Sequence, residues 1–403
     1  HITFKLSNQN FYKYFIENVK SMLVGLAIGI PILLLFFFVL NQFGDLWWVV
    51  FASAMFLISV VLSQIFPILI LPIFYKILPL DDDELKTRIS NLAKGAGIKV
   101  ENVFTFDMSK NTKKANAAFT GLGKTKRIIL GDTLLNNYSK DEIETVIAHE
   151  LGHYKHKHII KNILFGTVSS FLTFFIISIL YKNSLSWFDF KSITQIAALP
   201  LLSLWAMIIG LIQSPIGNIL SRKYEYEADR YAIESTLKPE SFISTLNKLT
   251  DQNLGDREPH PFVEWFFYSH PSIKNRINAI KIFANEKSIT LTADAASHVQ
   301  GELAKSMQSG SNTIGLKLGV KVSGCSGYSY VLDWVKAGEN TDSYRKFNSH
   351  NVDIYVDPQS YNFVAGTQID YIQQGISRTM VFRNPNVTAE CGCGESFTID
   401  KEK

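Results

Sequence analysis

The sequence predicts a multi-domain chain: an α-helical integral membrane domain followed by a small α+β, mostly β, domain. Three observations predict it. Four stretches contain no charged residue, namely 21–44, 46–75, 162–181 and 192–221. Each exceeds or matches the roughly 20 apolar residues that carry a helix across a bilayer. Lys and Arg cluster at particular ends of these stretches. Near Glu286-Lys287-Ser288 the pattern changes, and Ile314, Leu316, Leu318, Val320 and Val322 then alternate with other residues, the period of a half-buried strand. The overall composition, 47% apolar and 19% charged, hides this segregation. A single soluble domain, a disordered chain and a disulfide scaffold are excluded.

The first two stretches are separated by a loop of two or three residues and form a tight helical hairpin, in which Pro67 and Pro72 are tolerated as they are in membrane bundles. The last two form a second hairpin around Trp187, Phe188 and Phe190, aromatic residues suited to a membrane interface. Between the hairpins, Asp81-Asp82-Asp83-Glu84 places acids at a helix N-terminus. Leu85, Ile89 and Leu92 then share one face of an amphipathic helix over 82–95. Val100–Phe106, Ala118–Thr120 and Arg127–Leu130 read as strands, and Asp141–His158 as a helix. After the second hairpin, Pro271–Phe283 is a basic amphipathic helix. The second domain begins with a helix whose face is Ala295, Val299 and Leu303, followed by the alternating strand. Further strands lie around Tyr328–Trp334, Val352–Val356 and Arg378–Phe382. The expected domains are 1–285 and 288–403.

Lys13 and Lys20 precede the first span, Lys76, Lys86 and Arg88 follow the second, and Arg222 and Lys223 follow the fourth. The first hairpin loop, at Asp45, has none, although Lys182 and Lys191 occupy the second. The positive-inside rule puts the N-terminus, 76–161 and everything after 222 in the cytoplasm. A net charge of +4 gives no argument for nucleic acid. Three cysteines, all in the last fifth, make a poor disulfide framework and a better metal site in a reducing compartment.

His149-Glu150-Leu151-Gly152-His153 is the main chemical signal. On a helix, positions i and i+4 share a face, so both imidazoles can reach one zinc ion with Glu150 beside it. Zinc held by three protein ligands keeps a position open for water, whose proton Glu150 can take during attack on a peptide carbonyl. A third ligand is available in Tyr224-Glu225-Tyr226-Glu227-Ala228-Asp229. If this segment is helical, Glu225 and Asp229 share a face and Glu227 points about 200° away. Glu225 is then the ligand, and Asp229 could orient a ligand histidine through its other nitrogen. Glu227 is then expected to be dispensable for zinc and activity; the alternative for these acids is charge pairing with Arg222 and Lys223. His156 and His158 read as solvated histidines near the membrane surface.

These residues resemble a known family. Ala115–Ile128, Asp132–Leu135, the His-Glu-x-x-His helix, Ser221–Asp229 and Tyr268-Ser269-His270-Pro271-Ser272 are similar to the type I CAAX prenyl endopeptidases over residues 10–285. The resemblance implies a zinc endopeptidase with an intramembrane chamber. It implies that Asn116 and Ala117 offer a strand edge to the substrate backbone. His270 and Arg276 would contact the substrate or its developing oxyanion. The family has further membrane helices before Lys20 that this sequence does not show, so either the chamber is incomplete or the protein has helices that this sequence does not include. Substrates would be peptides or proteins, lipidated ones among them.

Gly324-Cys325-Ser326-Gly327 and Cys391-Gly392-Cys393-Gly394 offer soft thiolates flanked by glycines. Three thiolates cannot complete a four-thiolate site, which points to a cluster shared between subunits; a structural zinc site is the alternative. Residues 288–399, including Ile289–Thr292, Leu318–Gly327, Asn384–Val387 and Glu390–Phe397, resemble the A-type iron–sulfur carriers (IscA-like). The resemblance implies iron or an iron–sulfur cluster on Cys325, Cys391 and Cys393, a homo-oligomeric carrier, and cluster donor or acceptor proteins as partners. The sequence thus predicts a zinc peptidase fused to an iron–sulfur carrier. The rival is a membrane-tethered carrier whose truncated peptidase half is inactive.

Overall fold

The computed structural model describes residues 7–98, 103–120, 127–310, 312–323, 327–341, 344–374, 377–390 and 396–399. The chain divides into two compact units, His1–Ile280 and Lys281–Lys403.

In the first unit, Asn10 caps helix α1 (Phe11–Phe43) by accepting the Lys13 N–H. A short 3₁₀ turn, Gly44–Leu46, reverses the chain into α2 (Trp47–Ile65). Gly44 has φ +49°, a conformation that favours glycine. Pro67 does not end the helix: Phe66–Ile70 widens into a π turn that re-spaces the backbone hydrogen bonds, and α3 (Leu71–Phe74) follows. After α3 come β1 (Ile77–Pro79), α4 (Asp83–Gly95), β2 (Val103–Phe106), β3 (Ala117–Thr120) and β4 (Arg127–Gly131). Asp82 caps α4 by accepting the Leu85 N–H. The sheet has the order β1-β2-β4-β3, with β2 and β4 parallel and β3 at an edge.

Helices α5 (Asp132–Asn137), α6 (Lys140–Lys155), α7 (His158–Ser184), α8 (Leu199–Thr236), α9 (Pro239–Asn253), α10 (Pro261–Phe267) and α11 (Ile273–Glu286) complete the first unit, the division between units falling inside α11. The expected helix Asp141–His158 is two helices. Lys157 adopts the left-handed conformation, φ +57°, so α6 ends at Lys155 and His158 begins α7.

Among the described residues, three helical runs are long and apolar enough to cross a membrane: Phe11–Phe74, His158–Phe188 and Ile196–Thr236. The first contains two of the charge-free stretches, joined at Gly44. All three outrun those stretches, because α1 begins ten residues before its stretch and α8 continues past Ser221 without a break. The helices meet through Phe36, Leu40, Trp47, Phe51, Tyr181 and Leu201, while Leu34, Leu164, Met207 and Ile212 face outward. Lys182 pairs with Asp45, joining the two hairpin turns at 2.6 Å.

The second unit holds β5 (Thr290–Leu291), α12 (Ala293–Gln308), β6 (Thr313–Ser323), β7 (Gly327–Lys336), β8 (Arg345–Ser349), β9 (Val352–Val356), α13 (Pro358–Val364), β10 (Gln368–Gln374), β11 (Ser377–Arg383), β12 (Ala389–Glu390) and β13 (Ser396–Thr398). One sheet has the order β12-β13-β7-β6-β9-β8 and the other β11-β10-β5. Ala295 and Val299 of α12 are fully buried, as are Leu316, Leu318, Ile354 and Val356, while Leu303 is half-buried. The alternation expected along β6 fails at both ends. A register shift between Thr313 and Gly315 turns Ile314 outward, and Val322 is 83% exposed. Gly315 is required at that irregularity, since a Cβ would lie 2.6 Å from the Asp353 carbonyl oxygen. Cys325, Cys391 and Cys393 lie outside the described residues.

Candidate metal centre

Helix α6 starts with a reciprocal cap: Ser139 Oγ accepts the Glu142 N–H, and the Glu142 carboxylate accepts the Ser139 N–H. That buried carboxylate also accepts from Ser244 Oγ and Lys248 Nζ, each at 2.7 Å. The helix then packs on α8 at Gly152. A Cβ there would sit 3.0 Å from Ala228 Cα and 3.1 Å from both the Ala228 carbonyl oxygen and Tyr231 Cβ. Glycine at this motif position therefore lets two backbones approach closely. Because α8 runs on beyond its apolar stretch, it delivers Glu225 and Asp229 to the face of α6 that carries His149 and His153.

His149 Nε2 and His153 Nε2 are 3.2 Å apart. Glu225 closes the triangle, with Oε2 3.5 Å from the first and Oε1 3.4 Å from the second. Tetrahedral zinc with bonds of about 2.0–2.1 Å requires ligand–ligand edges of about 3.3–3.4 Å. Glu225 is buried, and among the described residues its Oε2 makes no hydrogen bond of good geometry, although His270 Nδ1 lies 3.0 Å and Arg276 Nη1 3.6 Å away. A cation held by the three groups would give this buried carboxylate oxygen a direct partner. Two imidazoles and one carboxylate form a donor set suited to zinc with an open position. The three residues fit the metal.

Around the triangle, Asp229 is fully buried with Oδ1 2.8 Å from His149 Nδ1. Arg276 donates through Nε to Asp229 Oδ2 at 2.9 Å and through Nη2 to Oδ1 at 2.6 Å. Burial opposes the charge on Arg276, but Asp229 outweighs it and raises the guanidinium's affinity for its proton. With two nitrogens spent on Asp229, only Nη1, 3.6 Å from Glu225 Oε2, remains to face the cleft. His270 is mostly exposed, with Nδ1 3.0 Å from Glu225 Oε2. Burial pushes the Glu150 carboxyl up, which favours its taking a proton.

A cleft of about 180 Å³ is lined by Asn116, Ala117, His149, Glu150, Glu225, His270 and Arg276, among others. The larger cavity, about 720 Å³ between α2 and α7, is lined by apolar, small and uncharged polar residues and offers no titratable group. Asn116 and Ala117 are at the start of edge strand β3, where the Asn116 carbonyl accepts the Gly131 N–H at 2.8 Å.

Two expectations need correction. His158 is 2% exposed, not solvated: it stacks on Tyr224 at 4.1 Å and its Nδ1 meets His153 Nδ1 at 2.9 Å. Glu227 faces away from the triangle as the helical register requires, yet it is occupied, with Oε2 2.9 Å from His158 Nε2. Sequence reasoning missed both because it continued α6 through Lys157. The run Lys155-His156-Lys157-His158 contains no Gly, Asn or Pro, so the break at Lys157 carries no sequence signal.

Three family models match the chain. One described as Peptidase family M48 matches residues 79–283, about half of the chain. CAAX prenyl protease N-terminal, five membrane helices, matches 3–76, and Iron-sulphur cluster biosynthesis matches 287–395. CAAX prenyl protease 1 of Saccharomyces cerevisiae is 33% identical over 290 residues, covering 67% of this chain and 64% of that protein. The uncharacterized metalloprotease YhfN of Bacillus subtilis is 32% identical over 280 residues, covering 68% and 66%. The chain thus spans just under two thirds of the length of these curated relatives. The crystal structure of S. mikatae Ste24p is similar with a TM-score of 0.64 and 31% identity, covering 69% of this chain and 68% of that one.

Proposed function

The chain belongs to peptidase family M48, and on that premise we propose that it hydrolyses peptide bonds at a zinc site on the cytoplasmic side of the membrane. It is an integral membrane protein joined to an iron–sulfur biosynthesis domain. The observation that carries the proposal is the triangle of His149, His153 and Glu225, sized for tetrahedral zinc and flanked by Glu150 in a cleft. The cytoplasmic orientation is supported by Lys13, Lys20, Arg222 and Lys223 at the ends of the spans.

His149, His153 and Glu225 would hold the ion. When bound, zinc supplies Lewis acidity that polarises a carbonyl and acidifies water. Glu150 takes the proton of the attacking water and can return it to the leaving amine, a role its burial favours. His270 reaches the cleft from outside the triangle and would donate a hydrogen bond to the carbonyl oxygen as negative charge develops there. Arg276 works mainly by holding Asp229, which in turn orients His149. Edge strand β3 can accept an extended peptide as an added strand, with Asn116 and Ala117 nearest the site. The substrate class is a peptide or protein, lipidated ones included, by analogy with the CAAX prenyl protease relatives.

For the second unit we propose iron or an iron–sulfur cluster on Cys325, Cys391 and Cys393, shared in a homo-oligomer and exchanged with donor or acceptor proteins. The family match and the soft thiolate set support it. Zinc content and peptide hydrolysis measured together on the full chain, wild type and Glu225→Ala, test the peptidase reading. Zinc and hydrolysis should both depend on Glu225. A wild-type chain that holds zinc there but cleaves nothing would favour a tethered carrier with an inactive peptidase half.

A further inference from the structure

The two ligand histidines are supported differently. His149 Nδ1 faces a carboxylate directly, Asp229 Oδ1 at 2.8 Å. His153 Nδ1 faces another imidazole, His158 Nδ1 at 2.9 Å, whose Nε2 is 2.9 Å from Glu227 Oε2. We propose that His158 and Glu227 are positioning residues that act in series to lock His153 in the tautomer and orientation that bind zinc. The proposal rests on the zinc reading of His149, His153 and Glu225.

The proton count gives the series a direction. A neutral imidazole that binds a metal through Nε2 carries its proton on Nδ1. His153 Nδ1–H must then donate to His158 Nδ1, so His158 carries its single proton on Nε2. That proton needs an acceptor, and the Glu227 carboxylate is at hydrogen-bond distance. The opposite polarity would put a proton on His153 Nε2 and exclude the metal. Burial of His158 keeps water from substituting for either link. Its ring plane is fixed by parallel stacking on Tyr224, 13° from coplanar. Lys161 and Lys223 lie 3.8 and 3.9 Å from the Glu227 carboxylate and offset its charge. The break at Lys157 makes this possible, since a continued α6 would carry His158 away from His153.

The test is zinc affinity of the purified full chain, measured by competition with a chromophoric chelator, for the zinc whose binding Glu225→Ala abolishes. Glu227→Leu removes the acceptor and should weaken that zinc by about 10–100-fold, the usual cost of losing such support. Glu227→Gln keeps an acceptor oxygen at similar length and should recover most of the affinity. His158→Leu should match Glu227→Leu, and the double variant should be no weaker than His158→Leu alone, because the two act in series. Glu227→Gln keeps the acceptor for buried His158 and should retain the wild-type metal-free melting temperature, which separates a weakened relay from a lost fold. Wild-type affinity in Glu227→Leu, or losses that multiply in the double variant, would overturn the relay. A wild-type chain with no zinc sensitive to Glu225→Ala would overturn the zinc reading and the relay together.

Discussion

Both units bury an apolar core, but the membrane-spanning helices of the first also turn many apolar side chains outward. In the first, Leu164, Met207 and Ile212 are about two-thirds exposed, while His149, Glu225 and Asp229 are buried. In the second, Val299, Leu318, Ile354 and Phe397 are fully buried. A water-soluble unit gains stability by removing such side chains from solvent. Helices in lipid gain little that way and associate by packing, with their polar groups satisfied internally. The metal centre of the first unit therefore depends on polar contacts and close backbone approach, and the second unit on its filled core. Substitutions should separate the two logics.

The largest effect is expected at Glu225. Glu225→Ala should abolish the zinc and all peptide hydrolysis, read by metal analysis and a peptide assay, without changing the iron or sulfide content of the second unit. Retained zinc would move the third ligand elsewhere. Gly152→Ala should come next. Its methyl group would meet the Ala228 backbone, which cannot rotate away as a side chain can, so α6 and α8 must separate. Zinc affinity should fall by roughly tenfold or more, as for other losses of ligand positioning, and an unchanged affinity would show that the approach is not needed.

Leu318→Ala tests the other logic. Deleting a fully buried leucine should destabilise the second unit by about 2–5 kcal/mol in denaturant unfolding. Zinc content and hydrolysis should not respond; a response would mean that the units are coupled. The smallest effect is expected at Arg88, whose Nη1 is 2.7 Å from Asp141 beside the Lys238 pair. Arg88→Met should cost no more than about 1 kcal/mol, because the group is partly solvated, and the cost should shrink with added salt.

Much of this architecture was legible because its signals are periodic. The i, i+4 pair of histidines and the Glu225–Asp229 spacing both follow from one helical repeat, and the structure brings all four side chains together. The charge-free stretches locate where helices can meet lipid but not where they end, since Lys13, Glu17 and Lys20 ride on the same helix α1. The missed features depend on single residues that break a period. Lys157 in a left-handed conformation brings His158 to His153, and the irregularity at Gly315 turns Ile314 outward. Neither follows from hydrophobic spacing. Arg276 was placed in the right region, but its commitment to Asp229 depends on how α11 docks against α8.

The central claim is that the triangle holds zinc and that Glu150 performs the proton transfer beside it. Glu150→Gln tests it most directly, because the change leaves all three ligands in place. The full-length variant and the wild type, prepared side by side, should hold equal amounts of zinc sensitive to Glu225→Ala. Peptide hydrolysis should fall at least about 10²-fold in the variant, the usual cost of losing a general base. Undiminished hydrolysis in a zinc-loaded Glu150→Gln chain would contradict the account.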